Sequence, residues 1–172
     1  MNDNEKATPG GIPQDPTPLA AKVGAARDAP KDPSGLRVTL DIEGGSADDR
    51  YEFRFEGTGT GDTQVEVKNR LRQVEVSPRV GEVSVDDMTE VLTSLDVGQM
   101  TALSRSMPTI PPDSTVGVLT VSDGRQEATI VFMADEGQAE TAGFELPDDL
   151  RRAVDKIFEI GAKQVELESV RP

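Results

Sequence analysis

The chain has 172 residues, no cysteine, no histidine and a formal charge of −14, from 32 acidic and 18 basic residues. The missing cysteines exclude a disulfide framework, thiolate metal ligands and a cysteine nucleophile, and the missing histidines remove the commonest general base and metal ligand. An acidic field of this size repels phosphate backbones and anionic membranes, since binding to them relies on basic residues that displace counterions. The expected partner is therefore a protein, and neither nucleic acid nor a membrane.

From Met1 to Gly35 the chain holds half of its twelve prolines (Pro9, Pro13, Pro16, Pro18, Pro30, Pro33) and almost no bulky apolar residue. Such a segment cannot repay the entropy of ordering, so residues 1–35 read as a disordered, proline-rich tail, with at most a brief helical turn around Leu19 to Ala26. Acids (Asp3, Glu5, Asp15, Asp28, Asp32) and bases (Lys6, Lys22, Arg27, Lys31) nearly balance there, which leaves almost all the excess negative charge on residues 36–172, read as a single domain. Met1 to Ala20 lacks the basic and apolar regions of a signal peptide, and no stretch approaches the roughly 18 apolar residues of a membrane span. The expectation is a cytoplasmic protein.

Order begins where Leu36, Val38, Leu40 and Ile42 alternate with Arg37, Thr39, Asp41 and Glu43, the period of a half-buried strand. Beyond Gly44-Gly45, Tyr51, Phe53 and Phe55 alternate with Glu52, Arg54 and Glu56 in a second strand. Thr63 to Val76 is strand-like throughout, but its apolar positions pass from odd (Val65, Val67, Leu71) to even (Val74, Val76), which requires a turn or bulge near Arg72-Gln73. Ser84 is placed to cap a helix whose stripe is Met88, Val91, Leu92 and Leu95, with Asp86 and Asp87 at its positive end and Gly98 as its stop. Gln99 to Arg105 adds a short helix, and Pro108, Pro111 and Pro112 make a rigid connection.

Thr115 to Ser122 and Gln126 to Met133 flank Asp123-Gly124, a dipeptide suited to a type I′ hairpin. A loop around Gly137 leads to Leu146-Pro147-Asp148 and a closing helix with Leu150, Ala153, Val154, Ile157 and Phe158 buried; Lys163 to Leu167 extends it or forms a short strand. The elements predict an α+β fold, a mostly antiparallel sheet of about five to six strands with two helices packed on one face.

Three acidic pairs stand out: Asp48-Asp49, Asp86-Asp87 and Asp148-Asp149. Two of them open helices, where the macrodipole alone favours acids, and none matches a calcium loop. The run Gly57-Thr58-Gly59-Thr60-Gly61-Asp62 is not a phosphate cradle, because the strand Gln64-Val65-Glu66-Val67 follows it instead of a helix, and Glu56 and Asp62 repel phosphate. It reads as a hairpin tip, and Gly57, Thr58, Gly59, Thr60 and Gly61 are the candidate binding loop, displayed on a rigid sheet. The basic run Lys68-Asn69-Arg70-Leu71-Arg72 carries no aromatic residue for base stacking and reads as sheet surface. No catalytic, cofactor-binding or metal-binding residue is assigned, and no cofactor is expected.

The strand entering a glycine-rich turn (Phe53-Arg54-Phe55-Glu56-Gly57-Thr58-Gly59), the helix at Val85-Asp86-Asp87-Met88, Pro112-Asp113 ahead of the Asp123-Gly124 hairpin, and the closing helix together resemble the emfourin-like small bacterial proteins. The resemblance covers roughly residues 51 to 160, but that family's Ser-Gly-Gly-Phe-like stretch has no close equivalent in this chain, and Glu56-Gly57-Thr58-Gly59 matches it only in glycine content. It implies a bacterial inhibitor of thermolysin-like metallopeptidases that acts without a cofactor. The expected function is a non-catalytic acidic protein-binding module, with peptidase inhibition as its most specific form. The alternatives are an immunity-type or assembly protein that binds a basic partner and, more remotely, a carboxylate- or magnesium-dependent enzyme.

Overall fold

The computed structural model describes residues 18–24, 33–106, 109–143 and 145–172. In chain order these form α1 (Leu19–Val23), a 3-10 turn (Pro33–Gly35), β1 (Arg37–Gly44), β2 (Tyr51–Thr58), β3 (Asp62–Asn69) and β4 (Val74–Glu82). There follow α2 (Val85–Ser94), α3 (Val97–Arg105), β5 (Val116–Ser122), β6 (Glu127–Met133), α4 (Glu136–Ala142) and α5 (Asp148–Val165). The strands make one antiparallel sheet in the order β4-β3-β2-β1-β5-β6.

The alternation read from the sequence sorts the sheet into two faces. Val38, Leu40, Ile42, Phe53, Phe55, Val65, Leu119 and Ile130 all point inward and are buried. Helices α2 and α5 lie against them: Phe53 meets Phe158 with ring centroids 5.2 Å apart, and a Cβ on Gly57 would touch the Met88 methyl at 2.9 Å. The two helices are joined by Lys156, whose ammonium lies 2.8 Å from Asp87 and 3.0 Å from Glu90 while its side chain is only 13% exposed. Donation to Asp87 and Glu90 raises the Lys156 pKa, and the Asp87 pKa is lowered by Lys156 and then by Ser84. A lowered carboxylate contributes stability above its ordinary range and loses it as the pH falls, and a raised lysine contributes below its ordinary range, so the clasp holds across neutral pH.

Ser84 caps α2 as expected, accepting from the Asp87 amide at 3.0 Å. Gly98 is not the stop: α2 ends at Ser94, and Gly98 lies in the first turn of α3, where Asp96 accepts from the Gln99 amide at 2.9 Å. The loop expected around Gly137 is α4, bounded by Asp135, which accepts from the Gln138 amide, and by left-handed Gly143. The hairpin is present, but Gly124 alone of its central pair has positive φ (85°). Its connection runs from Asp123 to Gln126 and is closed by the Asp123 carboxylate, which accepts from the Arg125 and Gln126 amides. The phase change in Thr63 to Val76 is the turn after Asn69, with Gln73 at φ 55°. A bulge further along sets Ser77 and Pro78 opposite Glu66, and an edge strand accommodates a proline there.

The order boundary expected at Leu36 is corrected for part of the tail. Leu19 and Val23, one helical turn apart, are 3% and 0% exposed. The Leu19 amide donates to Gln126 at 2.8 Å, and Lys22 pairs with Asp123 at 2.8 Å. A helix this short has no stability of its own and gains it from packing, which composition does not reveal. Residues 1–17 and 25–32 of the expected disordered tail, and Pro108 of the expected rigid connection, lie outside the described residues. At the other end, Val170 is buried, its carbonyl accepts from the Tyr51 hydroxyl, and Arg171 lies 4.9 Å above the Phe158 ring.

Candidate functional site

The Gly57–Gly61 turn is built inward, not presented as a loop. Gly57 pairs with Val38 inside the sheet, and the Gly59 amide donates to the Leu36 carbonyl at 2.9 Å. A Cβ on Gly59 would fall 1.9 Å from the Pro33 carbonyl oxygen, and one on Gly61, at φ 101°, would fall 2.4 Å from that of Val83. All three glycines are buried. Only the threonines reach outward: Thr58 and Thr60 hydroxyls are 2.9 Å apart, and Thr60 donates to Asp62 at 3.2 Å.

The structure does not bring the acidic pairs together into a site. Asp86-Asp87 and Asp148-Asp149 occupy the first turns of α2 and α5, and Asp48-Asp49 lies in the turn before β2, where Asp49 accepts from the Ser46 hydroxyl at 2.6 Å. Hydrogen bonds from Ser46 lower the Asp49 pKa. Among the described residues no group of three or more acids could hold a metal ion. The basic run is dispersed as well: Lys68 pairs with Glu66 at 3.1 Å, Asn69 is buried, Arg70 donates to the Ala47 carbonyl and Leu71 is 76% exposed.

The outer face of the sheet is divided. Cross-strand rows read Lys68-Glu52-Glu43-Val116-Met133, then Glu66-Arg54-Asp41-Val118-Val131, then Gln64-Glu56-Thr39-Thr120-Thr129. On β1 to β3 the rows form a lattice of ion pairs, including Arg37 with Glu56 at 2.9 Å and Arg54 with Asp41 at 3.2 Å. On β5 and β6 these rows carry no charge. Thr120 and Thr129 share a hydrogen bond at 2.9 Å, Val116, Val118 and Val131 are half-buried, and Met133 is 7% exposed. Asp41 borders the change, directly opposite Val118. Desolvation raises its pKa, with Arg54 opposing and Glu56 adding.

Past Met133 the face continues into a shallow, mainly apolar hollow of about 720 Å³ between Pro111-Pro112 and α4, with Asp113 and Asp135 on its rim. The sequence contained a signal for this surface that alternation alone overlooks. Val116 to Val121 and Ala128 to Met133 are nearly continuous β-branched and apolar runs, the pattern of strands covered on both faces. No helix among the described residues is long and apolar enough to cross a membrane.

No family model matches the chain, and no curated protein matches it significantly.

The packed glycines make a direct prediction. Gly59→Ala should lower stability by about 2 kcal/mol or more, because the methyl has no room against the Pro33 backbone, whereas Thr60→Ala should stay within about 0.5 kcal/mol. Urea midpoints measure both; equal midpoints would show that the turn is not packed as described.

Proposed function

We propose that the domain is a non-catalytic acidic module that binds a basic protein. The observation that carries this reading is the way charge is spent. Lys156, Arg171, Arg50, Lys68, Arg37 and Arg54 are engaged by carboxylates of the same chain. Asp48, Glu75, Glu82, Asp86, Glu140 and Glu168 are exposed and make no ion pair among the described residues. Arg70, Arg72 and Arg105 are exposed without an ion pair among the described residues as well, so the unpaired surface charge is mainly, not wholly, negative, which steers association with a basic protein and repels acidic ones. An immunity-type or assembly role, in which the module neutralises a basic protein, follows from the same field.

Salt tests it. Raising the ionic strength from about 0.1 M to about 1 M shortens the screening length from about 10 Å to about 3 Å. A stoichiometric basic partner captured by the immobilised full chain at the lower salt should be released at the higher. Capture of neutral or acidic proteins only, or retention indifferent to salt, would contradict the reading.

Peptidase inhibition is a narrower reading, supported by the rigid display of Thr58 and Thr60. Their backbone is fixed by Pro33, Leu36 and Val83, so little ordering entropy opposes insertion into a cleft. Shortening the turn would remove sheet pairing and is no test. The double variant Thr58→Ala with Thr60→Ala, titrated against a thermolysin-like peptidase beside the unaltered chain, should lose inhibition that the unaltered chain shows. No inhibition by the unaltered chain ends this narrower reading and leaves the broader one standing.

A further inference from the structure

We propose that the uncharged half of the outer face, from Val116 and Val118 on β5 to Val131 on β6, docks an extended segment of a partner protein that presents aliphatic side chains flanked by lysine or arginine. The inference rests on the binding-module reading above and names its surface and the chemistry of its partner.

The apolar part follows from the strands. In β5, Leu119 and Val121 fill the core while Val116, Val118 and Thr120 face outward; in β6, Ile130 and Phe132 are buried while Thr129 and Val131 face outward. The neighbouring strands show what an outward face in water looks like in this chain: Asp41, Glu43, Glu52, Arg54, Glu56 and Glu66, tied in ion pairs. The change from charged to uncharged occurs between β1 and β5, in the middle of one continuous surface. Branched side chains on a fixed sheet lose little entropy on contact, and the hollow beside Met133 extends the surface in the same direction.

The cationic part follows from the border. Asp41 and Glu43, each already paired with one arginine (Arg54 and Arg50), stand beside Val118 and Val116 in the same rows, and Asp113 and Asp135, which make no ion pair among the described residues, line the hollow at the far end. In an extended segment laid over Val118 and Val131 alternate residues face the sheet, so the cationic residues that reach Asp41 on one side, or Asp113 and Asp135 beyond Met133, stand two positions from the aliphatic ones. A second copy would bring another chain of formal charge −14 against this one, so charge favours a basic partner over self-association.

The test uses the full chain and the peptide Lys-Ser-Val-Ser-Val-Ser-Lys, whose lysines and valines share one face when extended, with Lys-Ser-Ser-Ser-Ser-Ser-Lys as its control, followed by amide and methyl NMR shifts. The expected result is a set of shifts centred on Val116, Val118, Val131 and Met133 with the first peptide and weaker, diffuse shifts with the control. Val118→Thr with Val131→Thr keeps the branched strand geometry and the charge, and should weaken the first peptide by about tenfold or more. Asp41→Asn should reduce the salt dependence of what remains. Shifts confined to the ion-paired strands, equal for both peptides and indifferent to the double variant, would overturn this surface while leaving the acidic-module reading intact. No shift with either peptide at low salt would overturn both. Concentration-dependent dimerisation abolished by the double variant would show that a second copy covers the face, and would overturn the assignment of a basic partner.

Discussion

A six-stranded sheet has two faces, and the helices of this chain cover one of them. The rest of the structure follows from how that constraint is met. On the covered side, Phe53, Phe55, Leu40 and Leu119 are sealed beneath α2 and α5, and the helices are held side by side by Lys156 between Asp87 and Glu90. A single ammonium shared among carboxylates suits an acidic protein, because it relieves repulsion between two negatively charged helix surfaces as well as pairing them.

On the other side the chain uses two solutions. Strands β1 to β3 carry interleaved acids and bases, with Arg54 between Asp41 and Glu66 and with Arg50 bridging the facing Glu43 and Glu52, and such pairs are compatible with water, though each contributes little stability. Strands β5 and β6 carry valine and threonine, which suit a covered surface better than a wet one. Under the proposed function the acidic excess and the uncharged stripe act together: charge would set which partners approach, and the stripe where they stop. β4 carries Pro78 within a bulge and exposed Arg79, devices that discourage pairing at a sheet edge.

Much of this was legible in the sequence because the signals were local. The alternation from Leu36 to Ile42 and from Tyr51 to Phe55, the Ser84 cap, the phase change before Val74 and the stripe of the closing helix all became the elements they predicted. The misses were tertiary. The brief helical turn allowed around Leu19 is present, but its docking against Gln126 and Asp123 is announced by nothing within five residues. The short α4 is polar and contains Gly137, so its periodicity is weak, although Asp135 and Gly143 bounded it in plain view. The Gly57–Gly61 turn read as a displayed binding loop, yet its glycines serve close approach, with Pro33 and Val83 occupying the space of the absent side chains. The divided outer face depends on strand order, which places β5 beside β1, and no single stretch of sequence contains that.

Methyl NMR of the full chain with a soluble paramagnetic agent measures directly whether the valines of β5 and β6 are open to a partner. Half-buried Val118 and Val131 should broaden to a degree between that of exposed Val80 and that of buried Leu119 and Ile130. Protection of Val118 and Val131 equal to that of Leu119 would mean that the face is already covered, and would exclude it as a docking surface.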